Sequence, residues 1–207
     1  MDKNSLIIDI QYFGNLSFYK ILCSYTYILI EQFDDHKKKS FSNRSVIAGA
    51  NGKIILSVPL QKGRSQKTMS KDVRISNTEN WQIRHLRSIV SSYNNSPWFK
   101  FMSDDLAVLY SRRYEYLQDW NLACLDWTLK IMNIHLNYEL SKEWCETSFE
   151  GNDFRNKIHP GSNRPDIIIR YPQVFEDKNG FFPELSILDF IFCEGPKNAA
   201  SLLKKEG

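Results

Sequence analysis

Lysine and arginine side chains cluster on both sides of two apolar segments that are separated by an Asn-Gly pair. This pattern predicts a β-hairpin, and antiparallel pairing would place both cationic clusters at the same end of it. The guanidinium of Arg44 is a planar fork of donors suited to phosphate or carboxylate, and Asn43 can add amide hydrogen bonds. We predict that Lys39, Asn43 and Arg44 bind an anion; the alternative is a solvated lysine-rich loop, the usual role of a charge run. The cations concerned are Lys37, Lys38, Lys39, Arg44, Lys62, Arg64 and Lys67.

Two titratable side chains have the placement of catalytic groups. Trp81 and His85 are four residues apart and share one face of a predicted helix, where an imidazole suits general acid or base catalysis. The alternative for His85 is a half-buried ring held by a backbone group. Glu31 ends the apolar run YILIE, and a carboxylate at the end of a strand faces the crevice of an open α/β sheet; its alternative is an ordinary loop carboxylate. We predict that His85 and Glu31 are catalytic, and that Tyr93, at the end of the same helix, lines their pocket and binds the ligand.

The sequence lacks the motifs of the commonest cofactor and hydrolase sites. GxGxxG, GxxxxGK[ST], GxSxG and HExxH are absent, so the cofactor is unknown from the sequence. The four histidines and four cysteines are scattered without ligand spacing, which predicts no metal site and free thiols. A net charge of +3 is too small for a dedicated nucleic-acid binder. No run approaches the roughly 20 apolar residues that span a bilayer, and no leader segment is evident, so we expect a cytoplasmic protein.

The N-terminal half has the apolar runs of a sheet. Strand-length runs occur in 5–13, 25–33, 52–60 and 71–76. Between the first two, the segment 15–25 predicts a short helix after an asparagine, and a strand, helix, strand opening favours parallel pairing. With 207 residues, 42% of them hydrophobic, we expect one domain over 1–207.

From Ser76 onward the apolar period becomes helical. Ser76 and Glu79 have the spacing of a capping box, and the helix that follows has an apolar stripe of Ile83, Leu86, Val90 and Tyr93. Helices are also predicted within 98–111 and 114–131. The fold class predicted is α/β, with an N-terminal mixed sheet packed by the helices of the C-terminal half.

Toward the C-terminus the pattern is less regular. Residues 149–166 form a long polar segment that predicts a loop, which is more often functional or flexible than simply connecting. A short strand is predicted at 167–172. Residues 184–195 then predict a helix that is apolar on nearly all sides and is therefore buried.

Several blocks of the sequence together resemble the WbqC-like family, and particularly its Bacteroidetes-type members. These blocks are IEQFDDHKKKSFSNR, GKIILSVPLQKG, NWQIRHLRSIVSSYNNSPWF and GFFPELSILDFIFCEGP, and the resemblance runs over nearly the whole chain. The family is associated with bacterial surface polysaccharide and O-antigen synthesis. The resemblance therefore implies a role in making or decorating a glycan precursor, with polysaccharide-synthesis enzymes as partners.

The family's motif residues coincide with the candidates above. The family's Lys and its Asn-Arg pair match Lys39, Asn43 and Arg44. Its Trp and His match Trp81 and His85. Its Tyr and Ser-Pro match Tyr93, Ser96 and Pro97. The chain departs from many members after the first strand, where their prolines are replaced by Gly14 and Asn15. We expect either a transferase that uses a phosphate-bearing donor or sugar precursor, or a binding module that holds a nucleotide-sugar or lipid-phosphate-linked intermediate without catalysis.

Overall fold

The computed structural model describes residues 4–37, 39–61, 68–145, 152–161 and 168–205. Within these residues the chain forms two short sheets and seven α-helices. The elements are β1 (Ser5–Asp9), α1 (Leu16–Cys23), β2 (Tyr27–Glu31), β3 (Arg44–Gly49), β4 (Gly52–Ser57), α2 (Trp81–Tyr93), α3 (Ser103–Ser111), α4 (Leu117–Met132), β5 (Tyr138–Leu140), α5 (Glu176–Asn179), α6 (Ile187–Glu194) and α7 (Pro196–Lys204). The predicted α/β class is confirmed. None of these helices is long and apolar enough to cross a membrane.

The predicted strand, helix, strand opening is confirmed, and β1 and β2 pair in parallel from Ser5 opposite Tyr27 to Asp9 opposite Glu31. Asn15 begins α1, since its side-chain oxygen accepts a hydrogen bond from the backbone N–H of Phe18. A third parallel strand, β5, pairs with β2. The sequence pattern did not predict β5 because three residues are too few to show a period.

The predicted hairpin is also confirmed, with Arg44 opposite Ser57 and Gly49 opposite Gly52. Gly52 has φ of +118°, a conformation that side chains disfavour, which explains the glycine in the turn. The hairpin forms a two-stranded sheet of its own, separate from the three parallel strands. Helix α2 packs against the hairpin, where His85 hydrogen-bonds to the backbone of Ser57 opposite Arg44.

Helix α2 forms where expected but buries a different face. It begins at Trp81, and no side-chain bond caps its N-terminus, so the predicted capping box is wrong. Ile83 and Val90 of the predicted apolar stripe are 49% and 39% exposed. The large rings of Trp81 and Tyr93 bury more area than these aliphatic side chains, and they turn the helix to a face on which the buried residues are Trp81, His85, Ile89, Ser92 and Tyr93.

The remaining predictions have mixed outcomes. Helices α3, α4 and α6 confirm the three predicted helices, and Leu188 and Phe190 of α6 are fully buried. Residues 71–76 contain a 3₁₀ turn and isolated bridges instead of a strand, and residues 168–172 contain no strand. Val73, Ile75 and Tyr171 of these segments pack into the core, whereas Ile168 is exposed. The cations of 62–67, Lys38, and residues 149–151 and 162–166 of the predicted loop lie outside the described residues.

Candidate functional site

A polar crevice opens where the parallel strands β1 and β2 end. Asp9 is the last residue of β1, Glu31 is the last residue of β2, and both line the crevice. The loop after β2, the first turns of α4 and the segment around Arg155 complete the lining. Crevices at the carboxyl ends of parallel strands are where open α/β sheets usually bind ligands.

Glu31 anchors one wall of the crevice. The residue is 2% exposed, and its Oε1 accepts hydrogen bonds from the backbone N–H of Phe33 at 2.8 Å and from the Ser141 hydroxyl at 2.9 Å. Its Oε2 accepts from the backbone N–H of Cys145 at 3.2 Å and lies 3.4 Å from Nη1 of Arg155. The crevice location matches the prediction from the sequence. Because both oxygens are occupied by the protein, the geometry favours a positioning role for Glu31; the predicted catalytic role stays a prediction.

Asp9 is the carboxyl group that the sequence reasoning missed. Burial raises its pKa to about 6, although a hydrogen bond from the backbone N–H of Asn156, at 2.8 Å, opposes the shift. The nearby acids Asp34 and Asp153 raise the pKa further. The signal was present in the sequence: Asp9 ends its strand in the same way as Glu31, but the apolar residues after it made it look like an interior strand position.

The loop after β2 supplies the polar side chains of the opposite wall. His36 Nδ1 lies 3.3 Å from the Ser42 hydroxyl, and burial lowers the pKa of this histidine. Lys37 Nζ lies 3.8 Å from a carboxylate oxygen of Asp34. From the cationic run it is therefore Lys37, and not the exposed Lys39, that lines this crevice.

The predicted anion-binding residues lie farther along the same loop and on the hairpin. The side-chain amide of Asn43 donates to the carbonyl oxygen of Val58 at 3.2 Å, which ties it to the hairpin. Arg44 makes no ion pair with the residues that the structure describes, and its Nε is buried without a hydrogen-bond partner. An unpaired guanidinium of this kind leaves Arg44 able to bind an anion.

His85 lies beside the hairpin, close to Arg44. The ring is 7% exposed, its Nδ1 is 3.0 Å from the Tyr12 hydroxyl, and it also hydrogen-bonds to the backbone of Ser57. Ser57 is the cross-strand partner of Arg44, so the structure brings His85 and Arg44 to the same end of the hairpin. Burial lowers the pKa of His85 to about 4, and the imidazole is neutral at pH 7.

Tyr93 lies at the other end of α2, away from the crevice lining. It is fully buried, its hydroxyl donates to a carboxylate oxygen of Asp189 at 2.7 Å, and it accepts from the backbone N–H of Ala48 at 3.1 Å. These contacts connect α2, α6 and β3. They favour a structural role for Tyr93, while ligand binding by this residue stays a prediction.

One protein family matches most of this chain. The model of the WbqC-like protein family matches residues 11–159. The chain belongs to this family. No curated protein and no solved structure gives a match. In this WbqC-like protein the matched range contains all six site residues predicted from the sequence, whereas Asp9 lies two residues before it.

The altered first loop of this WbqC-like protein is a packed structural element. A Cβ at Gly14 would lie 2.7 Å from the Phe18 ring and 2.8 Å from Oε1 of Gln11, so the position has no room for a side chain. Asn15 caps α1, as described above. Gly14 and Asn15 are therefore held by close packing and by the helix cap.

The described residues of this WbqC-like protein include no group of three or more His, Cys, Asp or Glu side chains that could hold a metal ion. The four cysteines are free. The crevice offers the chemistry of its carboxyl groups, amides and hydroxyls, of the His36 imidazole, and of the Lys37 and Arg155 cations.

The pKa of His85 provides a direct test of the environment described for it. We expect the imidazole to stay neutral down to about pH 5 and to titrate near pH 4, because burial disfavours its charged form. NMR titration of the histidine ring carbons would measure this, with His85→Gln used to assign the resonance. Titration between pH 6 and 7 would contradict the buried geometry and would support the predicted role of His85 as a base.

Proposed function

We propose that this WbqC-like protein is a transferase of bacterial surface polysaccharide (O-antigen) synthesis, which moves an acyl, aminoacyl or similar group from a phosphate-bearing donor onto a sugar precursor. The observation that carries the proposal is Asp9, a carboxyl group with a pKa of about 6 in a polar crevice at the ends of two parallel strands. The family's association with glycan synthesis supplies the substrate class. We also propose that the protein acts in the cytoplasm, as one domain, beside other enzymes of that synthesis.

Asp9 is suited to remove a proton from the accepting group of the sugar. A general base works best when its pKa lies near the operating pH, and burial brings this carboxyl group closer to that range than an ordinary aspartate. Glu31 and Arg155 hold the wall in which Asp9 lies, since their ion pair is almost fully buried. In this proposal His85 acts as a positioning residue that joins α2 to the hairpin.

The donor's phosphate is assigned to the side of the hairpin where Arg44 lies. Arg44 has no carboxylate partner among the described residues, and Lys39 is an exposed cation five residues earlier. The connecting segment passes Ser42, which lines the crevice. A donor held at Arg44 would thus lie a short distance along the chain from Ser42, which lines the crevice in which Asp9 would hold the acceptor.

The proposal is tested by Asp9→Asn in a transfer assay. A panel of nucleotide sugars is incubated with phosphate-bearing acyl and aminoacyl donors, and products are detected by the mass of the transferred group. We expect the wild-type protein to give a product and Asp9→Asn to lower turnover by about 100-fold or more, because general base catalysis is lost. The exposed Asp104→Asn, on α3, serves as the control. Equal turnover in both variants would contradict the assignment of Asp9.

The alternative is a binding module without catalysis that holds a nucleotide sugar or a lipid-phosphate-linked intermediate for partner enzymes. The absence of standard catalytic motifs from the sequence and the occupied hydrogen bonds of His85 and Glu31 favour it. In that case the wild-type protein binds a member of the panel and forms no product with any donor.

Replacing Arg44 tests the phosphate assignment. We expect Arg44→Ala to weaken the binding of a nucleotide sugar by about 10- to 100-fold through loss of a charge-assisted hydrogen bond, and Arg44→Lys to weaken it less. Isothermal titration calorimetry measures the affinity, and Lys53→Ala, an exposed cation on the same hairpin, is the control. Unchanged affinity combined with a large loss of stability in the free protein would make Arg44 a structural residue.

A further inference from the structure

The side chains that line the crevice carry more negative than positive charge. Four carboxyl groups and two cations line it, namely Asp9, Glu31, Asp34 and Asp35 with Lys37 and Arg155. Arg155 pairs with Glu31, and Lys37 lies near Asp34. Asp9 and Asp35 have no cation partner among the residues described. A ligand entering the crevice therefore meets a net negative charge.

Asn121 adds an acceptor whose orientation is fixed. It is 1% exposed, it lines the crevice from α4, and its Nδ2 donates to the carbonyl oxygen of Ser42 at 2.8 Å. A carbonyl oxygen only accepts, so the amide is held with Oδ1 as its remaining acceptor. That oxygen is buried and has no hydrogen-bond partner. Buried acceptors are normally satisfied, so this one points to a ligand that donates.

The size of the crevice limits what can enter it. The enclosed space is about 30 Å³, which is room for roughly two water-sized groups. A sugar ring is too large to be enclosed and a phosphate is disfavoured by the negative charge of the lining, but one small head group fits while the rest of the ligand stays outside. An ammonium group offers three donors and a positive charge, whereas a hydroxyl offers one donor and no charge.

We propose that the crevice binds the ammonium group of a primary amine, so that the acceptor of the transfer is an amino sugar. The identity of the acceptor rests on the proposed function; the binding of an amine does not. The argument depends on the uncompensated carboxyl group of Asp9, the unpartnered Oδ1 of Asn121 and the small enclosed volume.

The step that follows is balanced by groups already assigned. Asp9 takes one proton from the ammonium, and the free nitrogen forms a bond to the acyl carbon of the donor. The bond between that carbon and the donor's leaving group breaks, and its electron pair departs with the leaving group. The second proton lost by the nitrogen goes to the leaving group, and Asp9 returns its own proton to solvent.

Binding of three related hexoses tests the inference. Glucosamine, glucose and N-acetylglucosamine carry an ammonium, a hydroxyl and an acetamide group at one position of the same ring. We expect glucosamine to bind about tenfold or more tightly than glucose, and N-acetylglucosamine to bind no better than glucose because it has lost the charge and gained bulk. Backbone amide shifts in NMR spectra of the wild-type protein should change around Asp9 and Asn121.

The preference should also depend on pH. It is expected to increase from pH 5 to pH 7, because Asp9 loses its proton near pH 6. Burial lowers the pKa of His36, so this ring carries less positive charge than an exposed histidine at the same pH. The charged and titratable groups that line the site or act on Asp9 are Asp9, Glu31, Asp34, Asp35, His36, Lys37, Asp153 and Arg155.

Variants and competing ligands complete the test. Asn121→Leu and Asp9→Asn should each remove most of the preference for glucosamine, with Asp104→Asn as the control, and the wild-type measurement decides alone if Asn121→Leu fails to fold. Equal binding of glucosamine and glucose, or displacement of glucosamine by Mg²⁺ alone, overturns the inference and leaves the proposed transferase standing. If glucosamine binds selectively but the transfer assay gives no product, the result supports the amine site and contradicts the proposed transferase.

Discussion

Replacing Glu31 with alanine is expected to lower the free energy of unfolding by about 3 to 5 kcal/mol, the usual cost of breaking a buried ion pair. The side chains of Glu31 and Arg155 are 1% and 8% exposed, so the buried arginine would lose one of its carboxylate partners while retaining Asp153. The Ser141 hydroxyl and two backbone N–H groups would lose their acceptor as well. Urea denaturation followed by tryptophan fluorescence measures the change.

Two further variants separate this cost from a general effect of losing a carboxylate. Glu31→Gln keeps one acceptor oxygen, so its loss of stability should be smaller and remains measurable if the alanine variant does not fold. Glu143→Ala removes an exposed glutamate nearby, and we expect it to change stability by less than about 0.5 kcal/mol. A loss no greater in Glu31→Ala than in Glu143→Ala would contradict the buried network described for Glu31.

Replacing Asp189 with asparagine is expected to stabilise the protein relative to wild type as pH rises, by about 2 kcal/mol between pH 4 and pH 7.5. Asp189 is fully buried, and the hydroxyls of Tyr93 and Tyr171 donate to its two oxygens. Burial raises its pKa from 3.8 to about 6, against the opposing effect of these hydrogen bonds. The folded protein thus holds this proton more tightly than the unfolded chain does.

The sign of the effect follows from that difference. A raised pKa contributes stability that is fully present below pH 3.8 and is lost as pH rises through about 6. Asparagine does not ionise, so the variant avoids this loss. The quantity to measure is the difference in free energy of unfolding between variant and wild type at each pH, which cancels other titrating groups. Asp104→Asn, an exposed aspartate, is the control. A difference that does not vary with pH would place the pKa of Asp189 in its ordinary range.

The assignment of charges in this protein differs from what the sequence first suggests. The cationic run predicted one anion-binding pocket containing Arg44, His85 and Glu31. In the structure Arg44 and His85 lie at the same end of the hairpin, while Glu31 lies in an acidic crevice with Asp9. Two neighbouring regions of opposite charge fit a reaction that brings an anionic donor to a cationic acceptor.

The sequence by itself determined the features that depend on neighbouring residues. The Asn-Gly turn at Gly52, the asparagine cap at Asn15 and the shared helix face of Trp81 and His85 all follow from local backbone preferences, and all three are found in the structure. The parallel opening follows in the same way, because a short helix between two strands leaves little choice of direction.

Only the tertiary structure decided which of the candidate side chains meet. Asp9, Glu31, Asn121 and Arg155 line one crevice although more than 140 residues separate the first from the last. Their proximity depends on the parallel register of β1 and β2, on the packing of α4 and on the chain returning at Arg155. The buried face of α2 was decided in the same way, since competition for core volume among aromatic side chains turned that helix away from its aliphatic stripe. Local pattern carries no information about such competition, because its outcome depends on which distant residues fill the remaining space.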